Sequence, residues 1–144
     1  MQLQERQMRE YGFVIDVITD DPTTPTGFNA HTHGLAENLD HLDLQIVMPL
    51  PPPLAAGIIE EFVNRIKQGE RFRAGSSVYL TPAAEVLFVN AVESERPVLR
   101  IILPDEDGSV EMGEMTGDWR FQYDEAREWQ QDASDPFMFA QTTK

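Results

Sequence analysis

The feature that most constrains the fold is a proline cluster that leads directly into an amphipathic segment. Four prolines lie within residues 49–53, where they suit the approach to a helix and its first turn but not its interior. Beyond them, apolar side chains recur at spacings that place them on one stripe of a helix: Leu54, Ile58, Ile59, Phe62, Val63 and Ile66. The sequence therefore predicts a helix over about residues 52–68, ending near Gly69. Burying the stripe is worth on the order of 10 kcal/mol before entropic costs, so this helix must cover another apolar surface.

Short segments rich in β-branched and aromatic residues supply such a surface. The expected strands lie at residues 11–18, 28–35, 42–48, 76–81, 85–92 and 98–103, with a weaker return strand at 110–115. The first two flank the turn-rich residues 19–27 and predict a hairpin. Together these elements predict an α+β fold, in which one main helix packs on a mostly antiparallel sheet of about five or six strands.

The chain length of 144 residues is typical of one domain. We expect residues 1–132 to form this single α+β domain, with short helices near residues 2–10 and within 123–132. The aromatic residues of 119–123 are expected to cover an edge of the core. Residues 133–144 are predicted to be a flexible C-terminal tail.

Composition excludes several classes of function. The 25 acidic and 11 basic residues give a formal net charge of −14, which disfavours binding to a nucleic-acid backbone. The absence of cysteine excludes thiolate nucleophiles, cysteine-ligated zinc, iron–sulfur clusters and disulfides. The polar N-terminal residues do not match a signal peptide, and no apolar run is long enough for a membrane span. We therefore expect a cytoplasmic protein that binds neither nucleic acid nor membrane.

The acidic charge is concentrated in two stretches without lysine or arginine, residues 11–50 and 101–118. One interpretation is a solvated acidic surface that opposes aggregation. The other is an attraction for a basic partner or a divalent cation. The first stretch contains every histidine of the chain.

These three histidines, His31, His33 and His41, suggest a metal site. Residues at i and i+2 of an extended segment point to the same face, so His31 and His33 could approach one cation together, as zinc prefers. His41, Asp40 and Asp43 are near enough in sequence to complete three or four ligands. The predicted set is thus His31, His33, His41 and Asp40, with a divalent metal such as zinc as the cofactor. Two alternatives stay open: histidines hydrogen-bonded to nearby carboxylates, or a single histidine acting as a general base.

A small basic concentration at the end of the predicted helix consists of Arg65, Lys67, Arg71 and Arg73. Cations there complement the negative end of the helix dipole. The alternative is an anion-binding patch formed by the same four residues.

The order of several short motifs resembles a known family. They are Tyr11-Gly12-Phe13, His33-Gly34-Leu35, the segment 69–75 after the helix and the segment 103–108. This order resembles the bacterial domain-of-unknown-function family 4262 over roughly residues 10–118. The resemblance implies a small α+β protein and transfers no activity or catalytic residue. The family's usual Tyr-Thr-Ile-Gly-Leu segment is altered here by His31 and His33, so the metal hypothesis concerns this chain and not the family.

Two functions from different classes follow. The preferred one is a small cytoplasmic bacterial binding or protein-interaction domain without catalytic activity, acting on a protein partner or as a homo-oligomer. It is favoured because the chain contains neither a nucleophile elbow nor a phosphate-binding loop. The alternative is a small metal-dependent hydrolase that uses the His31, His33 and His41 cluster, with metal-bound water as the nucleophile.

Overall fold

Six strands form one sheet in the computed structural model, which describes residue 8, residues 10–115 and residues 117–124. The strands are β1 (Val14–Ile18), β2 (Asn29–His33), β3 (Asp43–Ile46), β4 (Ser77–Thr81), β5 (Ala84–Glu93) and β6 (Arg96–Ile102). Their order across the sheet is β1-β2-β3-β6-β5-β4. Neighbours run antiparallel except for β3 and β6, which are parallel. The predicted α+β fold with a mostly antiparallel sheet is confirmed.

Among the described residues, two α-helices have both ends defined, the short α1 (Leu35–Asn38) and the main helix α2 (Pro52–Lys67), and residues 8, 10 and 11 are also helical. The predicted helix over 52–68 is therefore confirmed to within one residue. It packs against β1, β2 and β3. Its buried side chains are Ala55, Ile59, Phe62, Val63 and Ile66.

The buried stripe of α2 differs from the predicted one at the start of the helix. Leu54 is 51% exposed, whereas Ala55 is fully buried. Apolar periodicity favours the larger Leu54, but the small Ala55 side chain allows the helix backbone to approach the sheet closely. Farther along, Phe62 joins a cluster of rings with Phe72 and Phe88, which contact one another at centroid distances of 4.9–5.4 Å.

The predicted return strand at 110–115 is wrong. After the turn at 105–108, the chain forms two short 3-10 helices, Met112–Glu114 and Gly117–Tyr123. Instead of pairing with β6, this segment covers the sheet face opposite α2, where Met115 and Tyr123 pack with apolar side chains of β5 and β6. Val110 and Met115, two of the apolar residues that suggested a strand, belong to this second core layer. Trp119 packs against both core clusters and Tyr123 belongs to the second, as expected of this aromatic segment, whereas Phe121 is 44% exposed.

Some predictions lie outside the described residues. These are most of the N-terminal helix near 2–10, the helix within 123–132 beyond residue 124, the domain boundary at 132 and the tail at 133–144. Among the helices that are described, none has the length and apolar character needed to cross a membrane.

Candidate functional site

A row of polar side chains crosses the sheet on the face opposite α2. Asp16, His31, Gln45 and Arg100 are paired in register across β1, β2, β3 and β6. Residues paired in register project to the same face, so these four form one line, which we call the polar row. His31, Gln45 and Arg100 are each no more than 2% exposed. A buried polar line of this kind is costly unless its members bond to one another or to a ligand.

Three potential metal ligands converge at one end of the polar row. His33 follows His31 at i+2 and therefore shares its face, beside Asp16 on β1. The Nε2 atoms of His31 and His33 are 3.2 Å apart. Asp16 Oδ2 lies 3.3 Å from the Nε2 atom of His33 and 3.8 Å from that of His31. The three residues thus place one nitrogen or oxygen atom each around a common point.

These separations match those of ligands on one small cation. Zinc binds imidazole nitrogen and carboxylate oxygen at about 2.0–2.2 Å, so two ligands of a tetrahedral ion are about 3.3–3.6 Å apart. The distances among Asp16, His31 and His33 fall around this value. The arrangement could hold a divalent metal with little movement of the side chains.

The cluster is buried on one side and open on the other. The side chain of His31 is 2% exposed, whereas those of Asp16 and His33 are 29% and 41% exposed. Burial lowers the pKa of His31, against the opposing attraction of Glu93, whose Oε2 lies 3.8 Å from His31 Nε2. The His31 ring is therefore held neutral, the form in which an imidazole ligates a metal.

Glu93 is a second carboxylate beside His31. Burial raises the pKa of Glu93, but hydrogen bonds from Ser94 and Arg96 more than offset this effect and leave the pKa below its usual value. Glu93 is therefore ionised at neutral pH. Together with Asp16 it gives the surroundings of His31 a negative potential, which favours a cation.

Asp43 and Arg96 fix the backbone between the two site histidines. Asp43 Oδ1 accepts hydrogen bonds from Thr32 Oγ1 at 2.7 Å and from the Leu35 backbone nitrogen at 3.0 Å. Arg96 Nη1 donates to Asp43 Oδ2 at 2.9 Å, and its Nη2 donates to the Thr32 carbonyl at 2.6 Å. Both the side chain and the carbonyl of Thr32 are therefore hydrogen-bonded. Because Thr32 lies between His31 and His33, these bonds fix the backbone that carries the two site histidines.

The structure does not bring His41 and Asp40 to this cluster. His41 is buried against Phe72, where its Nδ1 donates to the Leu42 carbonyl at 2.8 Å and its Nε2 accepts from the Phe72 backbone nitrogen at 3.0 Å. Both ring nitrogens are therefore engaged, and neither offers a lone pair to a metal. Asp40 is exposed in the turn before β3, with a left-handed φ of 54°. Sequence proximity to His31 and His33 was not sufficient to make either residue a neighbour of them.

The position of His41 predicts a pH-dependent stability. Burial lowers the pKa of His41 below 6.5 and Arg71 adds to this effect, while the Leu42 hydrogen bond, Asp43 and Asp40 oppose it. Below pH 6.5 the unfolded chain binds a proton that the folded chain does not, so stability is full above this pH and falls below it. This residue contributes a slope of at most about 1.4 kcal/mol per pH unit.

The variant His41→Gln tests this prediction, because glutamine keeps a hydrogen-bond acceptor for the Phe72 backbone nitrogen but does not titrate. Urea unfolding between about pH 7.5 and 5.5 should show a shallower loss of stability for the variant than for the wild type. Equal slopes would contradict the assignment.

Three of the four basic residues proposed as an anion patch contact other groups of the protein, and the fourth is exposed. Arg65 donates to Glu61 and to the carbonyls of Tyr79 and Leu80. Lys67 lies over the Tyr11 and Phe13 rings. Arg71 donates to the carbonyls of Ile66, Glu70 and Leu39, and Arg73 is exposed. These contacts favour the alternative of the sequence analysis, in which the cations stabilise the end of α2 and its surroundings.

Sequence reasoning did not single out Asp16, Asn29 or Glu93. Asp16 could have been found, because it is the one charged residue of the otherwise apolar segment 13–18 and the hairpin places it opposite the histidines. Glu93 is 62 residues from His31 in the chain and reaches it only through the arrangement of the sheet, which no local pattern indicates.

Comparison of the sequence with known protein families identifies one family that matches. The family described as Domain of unknown function (DUF4262) matches residues 7–110, more than half of the chain, and this segment includes Asp16, His31, His33 and Glu93. The predicted resemblance to this family, expected over residues 10–118, is thereby confirmed over residues 7–110. No curated protein and no solved structure matches significantly. The chain belongs to the Domain of unknown function family DUF4262.

Proposed function

We propose that this protein is a binding domain for a divalent transition-metal ion such as Zn²⁺, held by Asp16, His31 and His33. The observation that carries the proposal is the convergence of three ligand atoms with separations of 3.2, 3.3 and 3.8 Å. A carboxylate and two imidazoles are ligands that zinc accepts. This set keeps His31 and His33 from the sequence prediction and replaces His41 and Asp40 with Asp16.

The electrostatic surroundings support a cation. All three ligands lie in the stretch 11–50, which contains six acidic residues and no lysine or arginine. Glu93 adds a charge near His31, and the partly exposed Asp16 and His33 give an ion access from solvent. The Arg96 side chain is paired with Asp43 and Glu93 and so offsets the charge of those two carboxylates.

Zinc binding is tested by thermal unfolding of protein expressed without a histidine tag. Ligand binding to the folded state stabilises it by about 2.7 kcal/mol when free ligand exceeds Kd by about 100-fold. We expect zinc to raise the Tm of the wild type and to have no such effect on His33→Ala. His33 suits this purpose because its partly exposed ring can be removed with little disturbance of the core.

His41→Gln and Asp40→Asn are the controls, because the sequence prediction made these residues ligands and the structure places them elsewhere. Both variants should keep the zinc-dependent rise in Tm, even if His41→Gln unfolds at a lower starting temperature. A wild-type Tm that zinc does not move, together with no bound metal in elemental analysis, would rule out the proposal.

A metal-dependent hydrolase is the second candidate. It is supported by the number of ligands, because three protein ligands leave a coordination position for water, as in catalytic zinc sites. Turnover of simple esters, phosphates or amides by the zinc-loaded protein, abolished in His33→Ala, would favour it over a non-catalytic binding domain. Zinc binding without turnover would favour the non-catalytic domain.

The setting of this function belongs to the same proposal. We propose that the protein acts in a bacterial cytoplasm, since a chain without cysteine has no disulfide that the reducing environment could break. Its binding counterpart is a protein partner or a second copy of the chain. The acidic surface supports a basic partner more than an acidic one and disfavours nucleic acid.

A further inference from the structure

We propose that Asn29 is a positioning residue, which holds the proton of His31 on Nδ1 and so leaves the Nε2 lone pair directed at the metal site. The inference rests on the proposed metal-binding function. It is carried by a buried chain of hydrogen bonds that begins at Arg100 and ends at His31. We call this series of Arg100, Gln45, Asn29 and His31 the orienting chain.

The direction of the orienting chain is set by Arg100, since a guanidinium group can only donate hydrogen bonds. Arg100 Nε donates to Gln45 Oε1 at 2.8 Å. This contact fixes the oxygen of the Gln45 amide toward β6 and turns its nitrogen toward Asn29. Gln45 Nε2 then donates to Asn29 Oδ1 at 3.1 Å.

The other end of the Asn29 amide has the same orientation for an independent reason. Its Nδ2 donates to Asp21 Oδ2 at 2.9 Å and lies 3.5 Å from Glu93 Oε2. Both neighbours are carboxylates and accept hydrogen bonds. The oxygen of Asn29 must therefore face Gln45 and His31, and its nitrogen must face the acidic side.

The orientation of Asn29 determines the tautomer of His31. Asn29 Oδ1 lies 2.9 Å from His31 Nδ1, and an amide oxygen can only accept, so Nδ1 carries the proton. A neutral imidazole with its proton on Nδ1 has its lone pair on Nε2. This is the atom that faces His33 Nε2 at 3.2 Å and Asp16 Oδ2 at 3.8 Å.

Without this acceptor the opposite tautomer would be favoured. The carboxylates of Asp16 and Glu93 each lie 3.8 Å from His31 Nε2 and would attract a proton to that atom. A protonated Nε2 cannot bind a metal. Metal-ligating histidines commonly donate their second N–H to an oxygen, and loss of that partner typically lowers metal affinity about 10–100-fold.

The test combines the tautomer of His31 with zinc affinity. Long-range ¹H–¹⁵N spectra distinguish the two tautomers in the metal-free protein, and competition with a chromophoric chelator gives the Kd for zinc. We expect the wild type to hold the proton on Nδ1. Asn29→Leu should shift it to Nε2 and raise the Kd about 10–100-fold. Asn29→Asp keeps an acceptor oxygen for His31 and should retain the wild-type tautomer.

Asn90→Leu is the matched control, because Asn90 is a partly buried strand residue that pairs with Leu99 instead of a member of the polar row. It should change neither readout. If Asn29→Leu does not fold, Gln45→Met tests the same chain one step earlier and should weaken the preference for Nδ1.

Different results would refute the role of Asn29 and the metal-binding function. A wild type that holds the His31 proton on Nε2 would overturn the inference whether or not zinc binds. Unchanged zinc affinity in Asn29→Leu, with a wild type that binds zinc, would also overturn it. A wild type with the proton on Nδ1 but no affinity for zinc would instead refute the metal-binding function.

Discussion

Asp43→Ala is expected to lower the free energy of unfolding by about 3–5 kcal/mol, because it removes a buried carboxylate that accepts three hydrogen bonds. The carboxylate is 4% exposed and accepts hydrogen bonds from Thr32, Leu35 and Arg96. Its removal leaves a hydroxyl, a backbone N–H and a guanidinium without this acceptor, and each buried donor left unpaired costs about 1–3 kcal/mol.

Urea unfolding at pH 7 measures this loss. Asp20→Ala, which removes the same side chain from an exposed position, is the control and should lie within about 0.5 kcal/mol of the wild type. If Asp43→Ala were no more destabilising than the control, the hydrogen bonds around Thr32 would not contribute to stability, and the anchoring of the site histidines would need another explanation.

Gly34→Ala is expected to have an effect of similar size for a steric reason. Gly34 follows His33 and has a left-handed φ of 107°. A Cβ atom there would lie 2.6 Å from the Gly12 carbonyl oxygen and 2.5 Å from the Met8 sulfur. The sulfur belongs to a flexible side chain, but the carbonyl is backbone and must move. Strained backbone costs about 1–3 kcal/mol and the clash adds to it, so we expect a loss of about 3–5 kcal/mol.

The same substitution at Gly57 provides a control of opposite sign. Gly57 lies within α2, and a Cβ atom there would meet open space. Gly57→Ala should therefore stabilise the protein by about 0.5–1 kcal/mol, because alanine is the better helix former. A thermal melt of the two variants side by side checks both signs. A tolerated Gly34→Ala would mean that Met8 and Gly12 do not pack against Gly34.

Much of the fold was predictable because its signals are local. The helix over 52–67 follows from apolar periodicity, and β1 and β2 follow from β-branched residues on either side of a turn. The return strand at 110–115 could not be distinguished from a covering segment, since either structure can bury apolar residues such as Val110 and Met115. The choice between a strand and a covering segment depends on the apolar side chains of β5 and β6 on the face opposite α2, and these come together only in the folded protein.

The candidate site was half predictable for the same reason. His31 and His33 share a face through the two-residue period of a strand, and the sequence contains this relation directly. His41 is eight residues beyond His33 in the chain, but its ring contacts Phe72, 31 residues away, and no sequence pattern near His41 predicts that contact. Asn29 was overlooked because its role depends on Gln45 and Arg100, which reach it across three strands.

The parallel pairing of β3 with β6 has a consequence for how the site is assembled. This pair joins the antiparallel strands β1, β2 and β3 to the antiparallel strands β4, β5 and β6. The hydrogen bond from Arg100 to Gln45 crosses it and links residues 55 positions apart in the chain. The ligands themselves all lie in one hairpin, β1 and β2, which local contacts can form early. The isolated hairpin would therefore bring the three ligand atoms near one another and would still contain Asn29 and Asp21, but it would lack Gln45 and Arg100. The complete orienting chain, from Arg100 to His31, forms only when β3 pairs with β6.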